Sequence, residues 1–237
     1  MGNSSGRVRL FVFINDLSPF GAQQVALNTV SRLDRKSFSV TICSFGKDNK
    51  LAGEFETCGA EVLCLNARRY LDLRAWRGFF SSVLARRPHI LQTNIPELSV
   101  PARLLALFMP GTRVLHTVQN PFSSEPWYWR YLNFFTLPLC AKVVFCSQSL
   151  RNGSGARVTS PKAGVVRNGV RAFPPGRGLR EELGIGSGEK VICSAARLTG
   201  QKGQDILLLA LARLAEKNIR PRLLLAGDGE DEKKLKD

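Results

Sequence analysis

The sequence predicts an α/β protein built on a mostly parallel sheet: a complete Rossmann-like domain over residues 1–170, a connecting segment at 171–188, and the opening of a second Rossmann-like unit at 189–237. Three observations carry this reading. Short apolar runs alternate with amphipathic segments from the amino end onward, which fits strands and helices in turn. That strict alternation implies right-handed βαβ crossovers and a sheet covered on both faces. The composition then changes at Pro174, Pro175, Gly176 and Gly178, after which the same rhythm restarts.

In order, the apolar run Arg9 to Ile14 is the first strand, and Gly21 to Leu33 the helix that returns the chain. Phe38 to Phe45 and Glu61 to Leu65 read as strands around the amphipathic Leu51 to Cys58. Leu73 to Leu84, Leu98 to Phe108 and Trp127 to Leu137 read as helices, interleaved with strands at His89 to Gln92, Arg113 to His116 and Lys142 to Cys146. Asn168-Gly169-Val170 closes this domain. The second unit begins with the strand Val191 to Ser194, the helix Ile206 to Leu214 and the strand Arg222 to Ala226. That helix is apolar nearly all round and asks for neighbours on several sides. Two strands are a marginal sheet by themselves, so the second unit is expected to be incomplete.

Composition limits the function classes. With 237 residues and 44% hydrophobic content the chain can bury a sizeable core. Lys and Arg number 34 against 19 Asp and Glu, a net charge of +15, which calls for an anionic partner. On charge alone nucleic acid, an acidic membrane and phosphorylated metabolites all remain open. The six cysteines include no C-x-x-C pair, and Cys43, Cys64, Cys146 and Cys193 lie in apolar runs. Reduced, buried thiols of a cytoplasmic protein are expected, with no zinc site and no disulfide framework. Residues Met1 to Gly6 miss a myristoylation signal because Gly6 stands where Ser or Thr is required. Leu10 to Ile14 is too short for a signal peptide, and no run reaches the ~18 apolar residues of a membrane span.

The run Ala195-Ala196-Arg197-Leu198-Thr199-Gly200-Gln201-Lys202-Gly203-Gln204-Asp205 carries the most chemistry. It lies between a predicted strand and a predicted helix, where free N–H groups and the helix dipole favour an anion. Arg197 adds a forked donor and Lys202 a point charge. The plain alternative is a basic turn with solvated charges. The run resembles the R-L-x-x-x-K-G-x-D element of the GT-B-fold retaining glycosyltransferases of family four, the group 1 type, whose Arg and Lys hold the diphosphate of a nucleotide-sugar.

Other residues extend the resemblance. The turn Asn15 to Gln24 resembles the family's G-G-A-E loop, with Phe20 for the first glycine and Gln23 for the acid. The resemblance places Gly21 against the donor diphosphate. His116, closing a predicted strand, resembles the family's histidine beside the donor sugar and is the expected catalytic residue; the alternative is a satisfied structural histidine. Gly227-Asp228-Gly229 resembles the second-domain G-D-G, which puts Gly227 and Asp228 near the nucleotide. The family's E-x7-E beyond that turn is missing; Glu181 and Glu189 have the spacing but precede the first strand of the second unit, and are read as coincidence.

Between Arg68 and Arg87 six arginines face one acid, Asp72, with Trp76, Phe79 and Phe80 interleaved. Such a segment can lie on an anionic membrane or be an ordinary core helix with solvated arginines. The cluster Trp127-Tyr128-Trp129-Arg130-Tyr131 allows the same two readings, or an acceptor site.

The resemblance implies transfer of a sugar from a nucleotide-diphosphate sugar to an acceptor hydroxyl with retention. The acceptor is expected to be a glycan or a lipid-linked glycan, with no cofactor and no metal ion. Peripheral contact with the cytoplasmic membrane face and a complementary carboxyl-terminal chain are further expected partners. The chain alone is expected to be inactive. Alternatives are a dead remnant or phosphate-ligand-binding module, and a basic nucleic-acid-binding Rossmann protein, the latter resting on charge alone.

Overall fold

A computed structural model describes residues 6–154, 162–170, 172, 176 and 178–236. The stretch 1–5, read above against a myristoylation signal, and Pro174 and Pro175 of the connecting segment lie outside the described residues. The chain divides into two compact units, Met1–Ala172 and Phe173–Asp237.

The first unit is a seven-stranded sheet in the order β3-β2-β1-β4-β5-β6-β7. Its strands are β1 (Val8–Ile14), β2 (Phe38–Ser44), β3 (Glu61–Cys64), β4 (Ile90–Thr93), β5 (Arg113–Val118), β6 (Lys142–Phe145) and β7 (Ala163–Val165), every pair parallel. The helices are α1 (Gly21–Val30), α2 (Ala52–Thr57), α3 (Leu73–Arg86), α4 (Pro96–Ala106), α5 (Trp127–Thr136) and α6 (Gln148–Gly153). Consecutive side chains of a strand point to opposite faces, and β1 shows both faces in use. Phe11 and Phe13 join Phe45, Phe79, Leu91 and Leu98 on one side. Leu10, Val12 and Ile14 join Leu27, Ile42 and Phe55 on the other. A strand apolar on both faces must be covered on both, which is the doubly wound architecture the alternation predicts.

Two elements escaped the pattern because they are short and weakly apolar: α6 has six residues and β7 three. Helix α4 starts two residues early, at Pro96, since proline is suited to a first helical position that lacks a partner for its nitrogen. The Asp72 carboxylate caps α3 through Arg74 N and Ala75 N. Trp76, Phe79 and Phe80 pack into the core, and Arg86 pairs with Glu61, so α3 takes the core-helix reading. Phe79 is fully buried there, and Trp76 and Phe80 are partly buried against the same core.

The second unit holds β8 (Val191–Ala195), α7 (Gln204–Glu216), β9 (Arg222–Ala226) and the short α8 (Glu232–Lys236), with β8 and β9 paired in parallel. Part of the expected connecting segment packs here. Ile185 is buried, Arg180 donates to the carbonyls of Gly186 and Glu189, and Arg222 donates to Leu183 O and pairs with Glu189. The Glu189 carboxylate is thus engaged in local structure.

Among the described residues of α7 only Gln204 is buried, while Ile206 and Leu209 are 68% and 66% exposed. Without apolar cover the unit's hydrogen bonds open at low cost. Amides of β8 and β9 are therefore expected to exchange far faster than those of β1 and β4 in native-state hydrogen exchange, and equal protection would overturn this.

All six cysteines are free thiols. Burial in apolar runs holds for Cys43, whose thiol is pushed far up by desolvation, but Cys64 and Cys193 are exposed. The reason is position: β3 is a sheet edge, and the faces of β8 are uncovered. No described helix is long and apolar enough to cross a membrane.

Candidate active site

In the first unit the strand order reverses between β1 and β4, so their carboxyl ends flank the crevice where open α/β sheets take ligands. The loop after β1 is fixed by one carboxylate. Asp16 Oδ1 accepts from Ser18 N at 3.1 Å, from Ser18 Oγ and from Gln23 Nε2 at 2.9 Å, and Asp16 Oδ2 accepts from Asn15 Nδ2 at 2.7 Å. Tyr70 then donates to Asn15 Oδ1 at 2.8 Å. Burial, with the Glu97 and Asp16 carboxylates nearby, raises the Tyr70 hydroxyl above its ordinary range.

Gln23 is buried because its amide donates to Asp16, which explains an amide where the resembled loop carries an acid: a second carboxylate there would repel Asp16. Gly21 opens α1 with exposed backbone, and a Cβ at that position would meet nothing within 4 Å. The space is open to a ligand, but neither conformation nor packing requires glycine there.

His116 corrects one expectation, the end of its strand. It lies inside β5, which continues to Val118, and it is 1% exposed. Its Nδ1 is 3.1 Å from Ser99 Oγ and 3.4 Å from Thr93 Oγ1. Ser99 gives its single proton to Ile95 O at 2.5 Å, so toward the ring it accepts, which assigns the hydrogen to Nδ1. Burial and then the Arg103 guanidinium hold the imidazole well below its usual range. The ring is enclosed under α4. Sequence reading missed the depth because a strand's end is not marked in its residues.

Arg103 was not singled out by any motif, yet it is the largest fully buried side chain among the described residues. Its Nη1 donates to Asn133 Oδ1 at 2.7 Å and Thr136 Oγ1 at 2.9 Å, and Asn133 Nδ2 donates to Glu125 Oε2 at 2.8 Å. The chain Arg103–Asn133–Glu125 fixes α5 on α4.

In the second unit the two turns identified separately form one platform at the carboxyl ends of β8 and β9. Leu198 N donates to Asp228 O at 2.8 Å, Asp231 N to Leu198 O at 3.0 Å, and Ala196 N to Ala226 O at 3.0 Å. Gly227 has φ +143 and Gly229 φ +159, and a Cβ on either would overlap the carbonyl of Ala196 or Leu198. Only glycine lets the strands' exit turns lie this close. The structure thus brings Arg197, Lys202, Gly227 and Asp228 together, with the Arg197 and Lys202 side chains exposed. Gln204 adds a support that no motif indicated: buried, it donates from Nε2 to Arg197 O at 2.9 Å. Gly200–Lys202 form a 3-10 turn leading into α7, so the amino end of α7 follows directly on the turn that carries Lys202. Among the described residues no three His, Cys, Asp or Glu side chains are placed to hold a metal ion.

Residues 20–172 match the sequence profile described as Glycosyltransferase Family 4, and residues 177–237 that described as Glycosyl transferases group 1. The chain belongs to glycosyltransferase family 4. Solved structures agree on the GT-B fold. Anabaena Alr3699/HepE in complex with UDP is 16% identical with a TM-score of 0.72, covering 97% of this chain and 64% of its own. A glycosyltransferase from Rickettsia africae ESF-5 is 19% identical with a TM-score of 0.71, covering 98% and 63%. UDP-GlcNAc 2-epimerase from Neisseria meningitidis bound to UDP-GlcNAc is 12% identical with a TM-score of 0.61, covering 92% and 65%. This family-4 chain therefore spans slightly less than two thirds of each. Among curated proteins nothing matches it.

Proposed function

We propose that this chain carries the donor-diphosphate site of a retaining glycosyltransferase that moves a sugar from a nucleotide-diphosphate sugar to a glycan or lipid-linked acceptor hydroxyl. One observation carries the reading: the Arg197-to-Lys202 turn and the Gly227-to-Gly229 turn interlock at one sheet edge, beside the amino end of α7. Two cations on one turn next to the amino end of a helix suit a diphosphate better than a single phosphate. In the reaction they stabilise charge that grows on the leaving diphosphate, with no metal ion needed for that role. The exposed α7 face supports the further reading that the chain by itself binds donor without completing transfer.

The UDP found in the HepE complex makes uridine diphosphate the first ligand to try. Titration calorimetry of the chain with UDP and UMP is expected to give about tenfold or tighter binding of the diphosphate, one charge-assisted contact being worth roughly 1.5–3 kcal/mol. Equal affinity, or none for any nucleoside diphosphate, would remove the assignment.

A further inference from the structure

Helix α5 is mounted inside out. Its polar residues Asn133 and Thr136 are buried, at 1% and 8% exposure, against the Arg103 guanidinium. Its apolar and aromatic residues face solvent: Trp127 is 71% exposed and Phe135 70%, with Tyr128, Tyr131, Leu132 and Phe134 also exposed. An ordinary surface helix does the reverse. Here a buried arginine satisfies the inward polar side, so the aromatic side is left outward by construction. It borders an open groove of about 570 Å³ lined by Trp127, Arg130, Tyr131 and Phe134 among others.

Cations outnumber carboxylates along this stretch of chain, and Glu97 is a further carboxylate near Glu125. Between residues 122 and 154 the cations are Arg130, Lys142 and Arg151, all exposed. The single carboxylate, Glu125, is half-buried and turned to Asn133, with burial raising it above the usual carboxylate range. Trp and Tyr rings with a polar atom at one end favour the depth of lipid headgroups, and cations favour anionic lipid. The chain's charge of +15 acts in the same direction.

We propose that the outer face of α5 seats on the surface of an anionic phospholipid bilayer, its axis in the plane of the interface. The rings enter between headgroups while Arg130 and Arg151 meet lipid phosphates. This surface, and not the arginine-rich α3 whose aromatics are in the core, is the membrane face of the chain. The inference stands apart from the glycosyl-transfer reading, since neither Arg197 nor Lys202 takes part in it.

Sedimentation of the full chain with vesicles tests it. Vesicles of phosphatidylcholine with phosphatidylglycerol are expected to take up the chain, and phosphatidylcholine alone much less; high salt should weaken the uptake. Tyr131→Ser with Phe135→Ser changes two exposed rings, so folding should persist, checked by melting temperature. It should lower partitioning about tenfold or more. Arg130→Glu with Arg151→Glu should abolish the preference for anionic lipid, while Arg74→Glu with Arg77→Glu on α3 should leave uptake nearly unchanged. Brominated lipid should quench tryptophan emission, and the quenching should fall in Trp127→Phe. Absence of vesicle uptake overturns the proposal, as does uptake indifferent to the α5 changes. A concentration-dependent dimer in ultracentrifugation, lost with the same ring changes and unaccompanied by uptake, would assign the face to a second copy of the chain.

Discussion

Arg197→Ala and Lys202→Ala are each expected to weaken nucleoside-diphosphate binding by about 10- to 150-fold, which corresponds to losing one charge-assisted contact of roughly 1.5–3 kcal/mol. Both side chains are exposed on the turn that leads into α7. Arg197→Lys should recover only part of the loss, because an ammonium cannot supply the forked pair of donors a guanidinium offers to phosphate. The two cations sit on one turn, so the double change need not equal the sum of the singles. His116→Ala serves as the contrast. Its ring is enclosed with Ser99 and Thr93, and removing it should lower the melting temperature while leaving diphosphate affinity nearly intact. Calorimetry with unchanged affinity in both cation variants would remove the phosphate platform. Lost affinity in a stably folded His116→Ala would return the histidine to the site.

The Arg197-to-Lys202 turn stood out because its chemistry is local: two cations, a glycine and the start of a helix within a few residues. The G-D-G turn was legible as a motif, but not its physical reason. That reason is a backbone approach between Gly227 and Ala196, far apart in sequence, and no periodicity reports it. The doubly wound sheet was legible because strands apolar on both faces leave no other way to bury them. Helix α5 shows the opposite case. Its amphipathic pattern reveals two faces, but which one turns inward is decided by Arg103 on α4, thirty residues away from Asn133. For the same reason His116 looked like an edge residue: the strand's last two positions carry no terminating signal, and the helix that covers the ring starts earlier in the chain.

Gly227→Ala is expected to damage the second unit more than any single surface change. The residue has φ +143, a conformation that costs an L side chain roughly 1–3 kcal/mol by itself. A Cβ would also overlap Ala196 O, a backbone atom that cannot swing away as a side-chain end can. Relief requires the 226–229 turn to separate from the 196–198 turn, which breaks the bond from Leu198 N to Asp228 O and with it the position of Arg197. Among the described residues two strands and one long helix hold this unit, so little packing remains to absorb the strain. Loss of diphosphate binding together with faster exchange of the β8 and β9 amides is the expected outcome, with the β1 and β4 amides unchanged because the first unit has its own cores. Gly21→Ala is the matched control: its added Cβ meets open space, so the fold should not respond. If Gly227→Ala kept native exchange and full affinity, the interlock of the two turns would not be what positions Arg197.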